Sequence, residues 1–182
     1  MTNEEHIKTL LPVVQEKVRL FLFKAKEAGF DLRITDSHRT PKEQDEIYSR
    51  GRTTPGRIVT YAKGTPVPQS LHNFQCAIDV CDKKKLYDID WNKLGKIGES
   101  CGLEWGGRWT KPVDKPHFQF TGGLTLKELQ QGKRPISNVL DKVIVLKDGK
   151  YYRVDKGSYT HLTSMVQVGW YLAAGYKNIG KV

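Results

Sequence analysis

Two histidines and two aspartates of this chain are spaced as the residues of a hydrolytic metal centre would be. Asp79 follows His72 after six residues, and Asp114 precedes His117 by three positions. Catalytic zinc commonly takes three protein ligands from histidine and carboxylate groups and keeps a fourth position for water. His72, Asp79 and His117 would supply those ligands. Asp114 would then accept the proton of the water as the water attacks a carbonyl group.

Each of these patterns is weak by itself, because a single histidine is more often structural than a ligand. Positions three apart on a straight strand face opposite ways, so Asp114 would point away from His117. Pro116 should break this alternation and let Asp114 turn back. His38 is not expected to be a fourth ligand. Cys81, on the same strand face as the predicted ligand Asp79, is expected to be a buried thiol.

The hydrophobic pattern predicts an α+β fold, in which a small antiparallel sheet carries Asp79 and His117 and helices pack to one side. Ala77–Val80 alternates as a strand, with Asp79 on one face. A Gly-, Pro- and Thr-rich surface loop is expected over Gly51–Ser70. Further strands are predicted over Asp31–Asp36, His117–Phe120, and a hairpin of Val143–Leu146 and Tyr151–Val154 around Asp148-Gly149. Helices are predicted over Glu5–Ala28, Thr40–Tyr48, Asp90–Cys101 and Thr125–Gln131.

Composition limits the partners of the chain. Its 182 residues carry a formal net charge of +10, which predicts attraction to a polyanion such as an acidic wall polymer, a nucleic acid or an anionic membrane. The basic residues do not alternate with aromatic ones, so nucleic acid is not the expected partner. No segment approaches the roughly 20 apolar residues that cross a bilayer. The N-terminal residues lack a signal-peptide pattern, so synthesis in a cytoplasm is expected.

Four segments in order resemble the LAS-type zinc peptidases of the D-alanyl-D-alanine carboxypeptidase (VanY-like) family, and most closely the phage endolysin L-alanyl-D-glutamate endopeptidases. The family pattern Ser-x-His-x-x-Gly-x-Ala-x-Asp is similar to Ser70–Asp79, and the pattern of an acidic residue, two further residues and then a histidine matches Asp114–His117. Gly102–Trp109 and Gly51–Gly56 resemble segments of the endolysin branch. The resemblance spans about residues 11–126. Gln75 stands where the family usually has glycine.

The resemblance implies a fold, a reaction and further site residues. The fold would be that of the hedgehog/D-Ala-D-Ala metallopeptidase type, with one Zn²⁺ held by His72, Asp79 and His117. Arg39 matches the family arginine beside the substrate carbonyl, where a guanidinium would stabilise the developing oxyanion. The other candidates are Ser70 and Gln44, as residues that orient the site, and Trp105 and Trp109, as a wall of the cleft or as core anchors.

The implied reaction is hydrolysis of one amide bond in the peptide stems of peptidoglycan, at the L-Ala–D-Glu bond, leading to bacterial lysis. A D-Ala-D-Ala carboxypeptidase of wall metabolism is the nearest alternative, and a basic wall-binding protein without catalysis is a second. A catalytic tail component of a phage is a third. The enzyme is expected to be a monomer that is made in the host cytoplasm and acts on the wall after release.

Two regions are expected along the chain, with a boundary near residues 132–138. Residues 1–133 would form the zinc peptidase domain, and residues 134–182 a small basic extension. Lysines and arginines outnumber aspartates in this extension, which also contains tyrosines and a tryptophan. It is therefore either a module that binds the anionic wall or an integral part of the fold, and the sequence leaves both open.

Overall fold

The chain folds into two four-stranded sheets that flank the long helix near its N-terminus. The computed structural model describes residues 1–135, 143–147, 150–155, 158–174 and 176–181. The helices are α1 Asn3–Lys8, α2 Pro12–Glu27, α3 Pro41–Ser49, α4 Trp91–Ser100, α5 Leu126–Gln130 and α6 Met165–Ala173. The strands are β1 Leu32–Asp36, β2 Ala77–Asp82, β3 Glu104–Trp105, β4 His117–Gln119, β5 Val143–Lys147, β6 Lys150–Asp155, β7 Ser158–Leu162 and β8 Lys177–Lys181. The α+β prediction is confirmed.

The predicted N-terminal helix is wrong in one respect, because it consists of two helices. The first begins after Thr2, whose side chain accepts a hydrogen bond from the backbone N–H of Glu5. The chain is then interrupted at residues 9–11, and Pro12 opens α2 at a position where its missing N–H costs nothing. Proline disfavours a helical conformation for the preceding residue, so Leu11 is extended. The helical spacing of apolar residues continues across this break, which is why the periodicity alone did not reveal it.

The first sheet has the strand order β1-β2-β4-β3, and all its pairings are antiparallel. Its inner face packs on α2: Phe118 of β4 is fully buried, and its ring centroid lies 4.5 Å from that of Phe21. On the outer face, Asp79 of β2 lies directly opposite His117 of β4. Alternation of side chains in paired strands thus places the hydrophobic core on one face of the sheet and Asp79 and His117 on the other.

The second sheet has the strand order β7-β6-β5-β8. The predicted pairing of Val143–Leu146 with Tyr151–Val154 is confirmed as the antiparallel pair β5–β6, whereas its turn, Asp148-Gly149, lies outside the described residues. Leu162, Val168, Ala174 and Tyr176 form a small core under this sheet, and Leu20 of α2 packs against it. The predicted boundary near residues 132–138 stays a prediction. In the described residues, no helix is both long and apolar enough to cross a membrane.

Gln75 occupies a backbone conformation that favours glycine, which gives a physical reason for the family pattern. It ends the 3₁₀ turn Leu71–Phe74 with φ of 60° and ψ of 28°, in the left-handed region. Its carbonyl accepts a hydrogen bond from the N–H of Leu11, and its own N–H donates to the carbonyl of His72. These two bonds fix the backbone at Gln75. A side chain in this region costs free energy that glycine does not pay.

We expect the substitution Gln75→Gly to raise the free energy of unfolding by about 1 kcal/mol, because relief of the left-handed strain exceeds the entropy that glycine adds to the unfolded chain. Chemical denaturation followed by circular dichroism measures the change. Gln75→Val is the matched comparison, since a β-branched side chain tolerates this conformation worst and should lower the stability. A loss of stability in Gln75→Gly would contradict this account.

Candidate metal centre

Three different elements bring the predicted ligands together. His72 lies in the 3₁₀ turn Leu71–Phe74, Asp79 in β2, and His117 at the start of β4. His72 and His117 are buried, with 2% and 7% of their surface exposed, and Asp79 is partly buried. One donor atom from each of the three residues lies within 4.8 Å of the other two. Within the described ranges, this is the group of His, Cys, Asp and Glu residues that could hold a metal ion.

The separations between the donor atoms fit a tetrahedral ion. His72 Nε2 lies 3.3 Å from His117 Nδ1 and 3.4 Å from Asp79 Oδ1, and His117 Nδ1 lies 3.0 Å from Asp79 Oδ1. Bonds of about 2.0–2.1 Å to a tetrahedral Zn²⁺ place ligand atoms roughly 3.3 Å apart. The three side chains therefore fit one zinc ion and leave a fourth position for a water molecule or a substrate.

Hydrogen bonds fix the direction in which His72 presents its lone pair. Its Nδ1 lies 2.6 Å from the backbone carbonyl of Ser37. Because a carbonyl oxygen can only accept, Nδ1 carries the hydrogen, and the lone pair of the neutral ring is on Nε2, which faces the other ligands. Ser70 holds the backbone of the ligand: its hydroxyl caps the 3₁₀ turn and accepts a hydrogen bond from the N–H of His72.

A hydrogen-bonded chain of Glu104, Gln119 and His117 fixes the second histidine. The Gln119 amide nitrogen donates to Glu104 at 2.8 Å, so the amide oxygen must face the other way. That oxygen lies 3.0 Å from His117 Nε2 and accepts its hydrogen. The lone pair of His117 is consequently on Nδ1, the atom nearest Asp79. Two imidazole lone pairs and one carboxylate oxygen converge on a single point, an arrangement that a cation stabilises.

The close approach of these donor atoms shifts the pKa values of Asp79 and His117. Burial alone would raise the pKa of Asp79, but attraction to His72 and a hydrogen bond with His117 hold it well below its usual range. Burial would likewise lower the pKa of His117, yet the hydrogen bond that a protonated Nδ1 would donate to Asp79, together with the charge of that carboxylate, raises it. The carboxylate is therefore ionised at neutral pH, as a metal ligand must be.

Arg39 lies beside the cluster and is held from several sides. Its Nη1 donates to Gln44 Oε1 at 2.7 Å, and its Nη2 lies 3.8 Å from Asp79 Oδ2. Its Nε lies 2.9 Å from Asp36 Oδ2, as an ion pair that is not aligned for a hydrogen bond. The backbone of Arg39 is joined to the ligand turn, because its N–H donates to the carbonyl of His72.

Gln44 connects Arg39 to the long loop at residues 51–70. It is fully buried in α3, and its amide nitrogen donates to the carbonyl of Ala62 at 2.8 Å and to the hydroxyl of Thr60 at 3.3 Å. Its oxygen is thereby directed at the guanidinium of Arg39. The predicted loop is confirmed as irregular chain, and Gln44 holds one part of it against the site.

Asp114 reaches the cluster by means of a turn that precedes β4. The N–H of His117 donates to the carbonyl of Asp114, and the N–H of Asp114 donates to the carbonyl of Gly106. A Cβ atom at Gly106 would lie 2.5 Å from the Asp114 carbonyl, so this close approach requires glycine. The expected bend at Pro116 is thus part of a hydrogen-bonded turn. Burial and the charge of Asp79 raise the pKa of Asp114 above its usual range.

The two candidate tryptophans lie in different places. Trp109 is partly buried, and its ring centroid lies 5.1 Å from that of His117, so it borders the metal centre. Trp105 lies in the core instead of the cleft wall: it is 3% exposed and stacks on Phe118. Its indole N–H donates to the carbonyl of Lys115 and so supports the turn that carries Asp114. Cys81 is buried, with Arg33 Nε 3.1 Å from its sulfur.

Sequence reasoning missed the residues that orient the two histidines. Gln119 lies two positions after His117 on the same strand face, and alternation in that strand was the signal that could have suggested it. Glu104 comes from the neighbouring strand, where it pairs with Gln119 across the sheet. The Ser37 contact uses a backbone carbonyl, which no residue type indicates.

We expect the substitution Gln119→Leu to weaken metal binding about 10- to 100-fold, because His117 would lose the acceptor that keeps its hydrogen on Nε2. Competition with a chromophoric chelator measures this affinity without any assay of catalysis. The double variant Glu104→Gln/Gln119→Glu is the matched control, since it exchanges the two groups while keeping an acceptor for His117 and the net charge. Equal weakening in both variants would assign Gln119 a merely structural role.

Two oriented histidines, a carboxylate and a neighbouring guanidinium are the arrangement of a metal-dependent hydrolase, and similarity to known proteins gives its family. A family model described as D-alanyl-D-alanine carboxypeptidase matches residues 63–120. The peptidoglycan L-alanyl-D-glutamate endopeptidase CwlK of Bacillus subtilis (strain 168) is 37% identical over 125 residues, which cover 61% of this chain and 73% of that protein. The chain therefore belongs to peptidase family M15, the D-alanyl-D-alanine carboxypeptidase family, and is a metallopeptidase.

A solved structure is also similar to the chain. The L-Ala D-Glu endopeptidase ChiX of Serratia marcescens is 22% identical, with a TM-score of 0.47, over 71% of this chain and 90% of that chain.

Proposed function

We propose that the chain is a zinc-dependent endopeptidase that hydrolyses the L-Ala–D-Glu bond in the peptide stems of peptidoglycan. The observation that carries the metal-dependent reaction is the convergence of His72, Asp79 and His117 on one point, with both imidazole tautomers fixed. The bond specificity is supported by the 37% identity to a relative whose name states that bond. The formal charge of +10 suits an enzyme that works within an anionic wall.

The residues around the metal centre have separate roles in the proposed reaction. A zinc ion bound there would supply Lewis-acid chemistry, by polarising the scissile carbonyl and acidifying a water molecule. Asp114 takes a proton from the attacking water and returns it to the amine nitrogen as the C–N bond breaks. Its raised pKa suits this exchange, because burial stabilises the protonated carboxyl group relative to the carboxylate. Arg39, held by Gln44 and Asp36, stabilises the negative charge that develops on the carbonyl oxygen.

The test is mass spectrometry of the fragments released from purified peptidoglycan. The proposed enzyme produces stem fragments with a new amino group on D-Glu, and glycan fragments that retain L-Ala. A D-Ala-D-Ala carboxypeptidase, which the name of the matching family model suggests, would instead release free D-Ala. A chelator should abolish either product, and added zinc should restore it. Release of free D-Ala alone would overturn the proposed bond.

The finer proposal is that the chain is a phage endolysin, made in the host cytoplasm, that lyses bacteria after its release to the wall. It is supported by the resemblance of Gly51–Gly56 and Gly102–Trp109 to the endolysin branch. The test is the loss of turbidity when purified protein is added to bacteria whose membranes have been permeabilised. If the protein digests isolated stem peptides completely but leaves the permeabilised cells intact, the lytic role is contradicted.

The basic residues 134–182 are proposed to hold the enzyme on the wall. On the strand pair β6–β7, Tyr152 lies opposite the exposed His161, with ring centroids 5.2 Å apart, while the next pair, Tyr151 and Leu162, packs towards the small core. The sheet thus has an aromatic pair on its outer face. Co-sedimentation with sacculi at low and high salt tests this proposal, and binding that does not weaken with salt would contradict its electrostatic part.

A further inference from the structure

A shallow groove adjoins the metal centre on the side of Asp114. Its volume is about 550 Å³. The groove is lined by Tyr87, Trp91, Val113, Asp114, Lys115 and Pro116. Asp114 lines this groove, and its backbone carbonyl accepts a hydrogen bond from the N–H of the predicted ligand His117. The groove therefore lies next to the turn that carries the proposed proton acceptor and leads into His117.

The walls of the groove expose apolar surface. Tyr87 is 55% exposed and Val113 is 53% exposed. The Tyr87 ring is not loose, because it stacks on Trp91 with an interplanar angle of 22°, and the Trp91 indole N–H donates to the Tyr87 carbonyl. An exposed apolar patch with a fixed aromatic ring, next to a reactive centre, is typical of a ligand-binding surface.

The position of Asp114 decides which part of a substrate would enter the groove. A residue that passes a proton from the attacking water to the departing amine must lie beside that amine. A chain that continues from the amine therefore extends past Asp114, whereas the acyl part of the substrate lies on the side of Arg39. In a peptidoglycan stem, the departing part is a short peptide that begins with D-Glu and carries free carboxylates. Lys115, which is exposed, is the cation among the residues that line the groove.

We propose that this groove is the subsite for the departing part of the stem peptide, with its aliphatic segments on Tyr87 and Val113 and a carboxylate paired with Lys115. The inference rests on the proposed endopeptidase function. It assigns Tyr87 and Val113 to substrate selection: they touch the chain beyond the scissile bond and take no part in the chemical step.

The experiment compares three synthetic substrates that share the L-Ala–D-Glu bond. The short substrate ends at D-Glu, the second is extended beyond D-Glu by two further stem residues, and the third carries N-acetylmuramic acid on L-Ala instead. With the zinc-loaded protein, we expect the extension beyond D-Glu to raise kcat/KM, and Tyr87→Ala to reduce that gain about tenfold. Val113→Ser should act in the same direction, and Val166→Ser, at a comparably exposed valine of α6, is the matched control.

The outcomes separate the two levels of the inference. If the wild-type protein cleaves none of the three substrates, the proposed function fails. If it cleaves them but gains nothing from the extension beyond D-Glu, the groove is not this subsite. The assignment is also overturned if Tyr87→Ala reduces the gain from the sugar instead, which would place the acyl part of the substrate in the groove. Circular dichroism of each variant confirms that the fold is retained.

Discussion

Replacing His117 by alanine is expected to remove stoichiometric metal binding and peptidase activity together. The wild-type protein should bind one zinc ion, because its three donor atoms lie at tetrahedral separations. Without His117, two ligands remain, and such a site competes poorly with solvent. His72→Ala and Asp79→Ala should behave in the same way. Metal content after dialysis, measured by mass spectrometry, and cleavage of purified peptidoglycan are the two measurements.

His161→Ala is the matched control for this series, since His161 is an exposed histidine of the second sheet. That variant should keep both the metal and the cleavage of a soluble stem peptide, a substrate that needs no binding to the wall. Full wall-cleaving activity in metal-free His117→Ala protein would refute the mechanism, whatever the other variants show.

Replacing Asp114 by alanine should leave metal binding intact and lower turnover about 10²- to 10⁴-fold. The reason is that Asp114 lies outside the group of converging donor atoms but close enough for its carboxyl group to feel the charges of that group. A residue that moves a proton affects the chemical step, whereas a ligand affects the site itself. The measurements are zinc stoichiometry and kcat on a soluble stem peptide.

Asp114→Asn is the stricter variant, because it keeps the size of the side chain and removes only its ability to take a proton. Both variants should retain the turn, since its hydrogen bonds use the backbone of Asp114. An empty metal site in either variant would require Asp114 to be reassigned as a ligand.

The sequence predicted the parts of the site that depend on local patterns. Alternation in β2 placed Asp79 on the face opposite Ile78, and the register with β4 then brought it to His117. The chain of Glu104 and Gln119 could not be predicted, because the amide orientation depends on a partner from another strand. Gln44 was expected near the site, but its link to the loop through Ala62 requires the path of the loop to be known.

The fold was predicted where propensity and hydrophobic spacing agree. The helix after Asp90 is an example: Asp90 caps it and Cys101 ends it, as expected. The break between α1 and α2 was missed because the apolar spacing continues through it. The second sheet was predicted only as a hairpin, since the parallel pairing of β8 with β5 joins segments that are distant in sequence and have no local signal.

Leu20 has a consequence for the construction of chimaeric enzymes. It packs against the main core and also against the small core of the second sheet, and a few residues away Lys24 Nζ lies 4.9 Å from the centroid of the Trp170 ring. A C-terminal segment taken from another protein would therefore meet a surface of α2 that is shaped for α6. Exchanges of the C-terminal region should succeed only when residues 20–24 are exchanged with it, so the unit of recombination includes one face of α2.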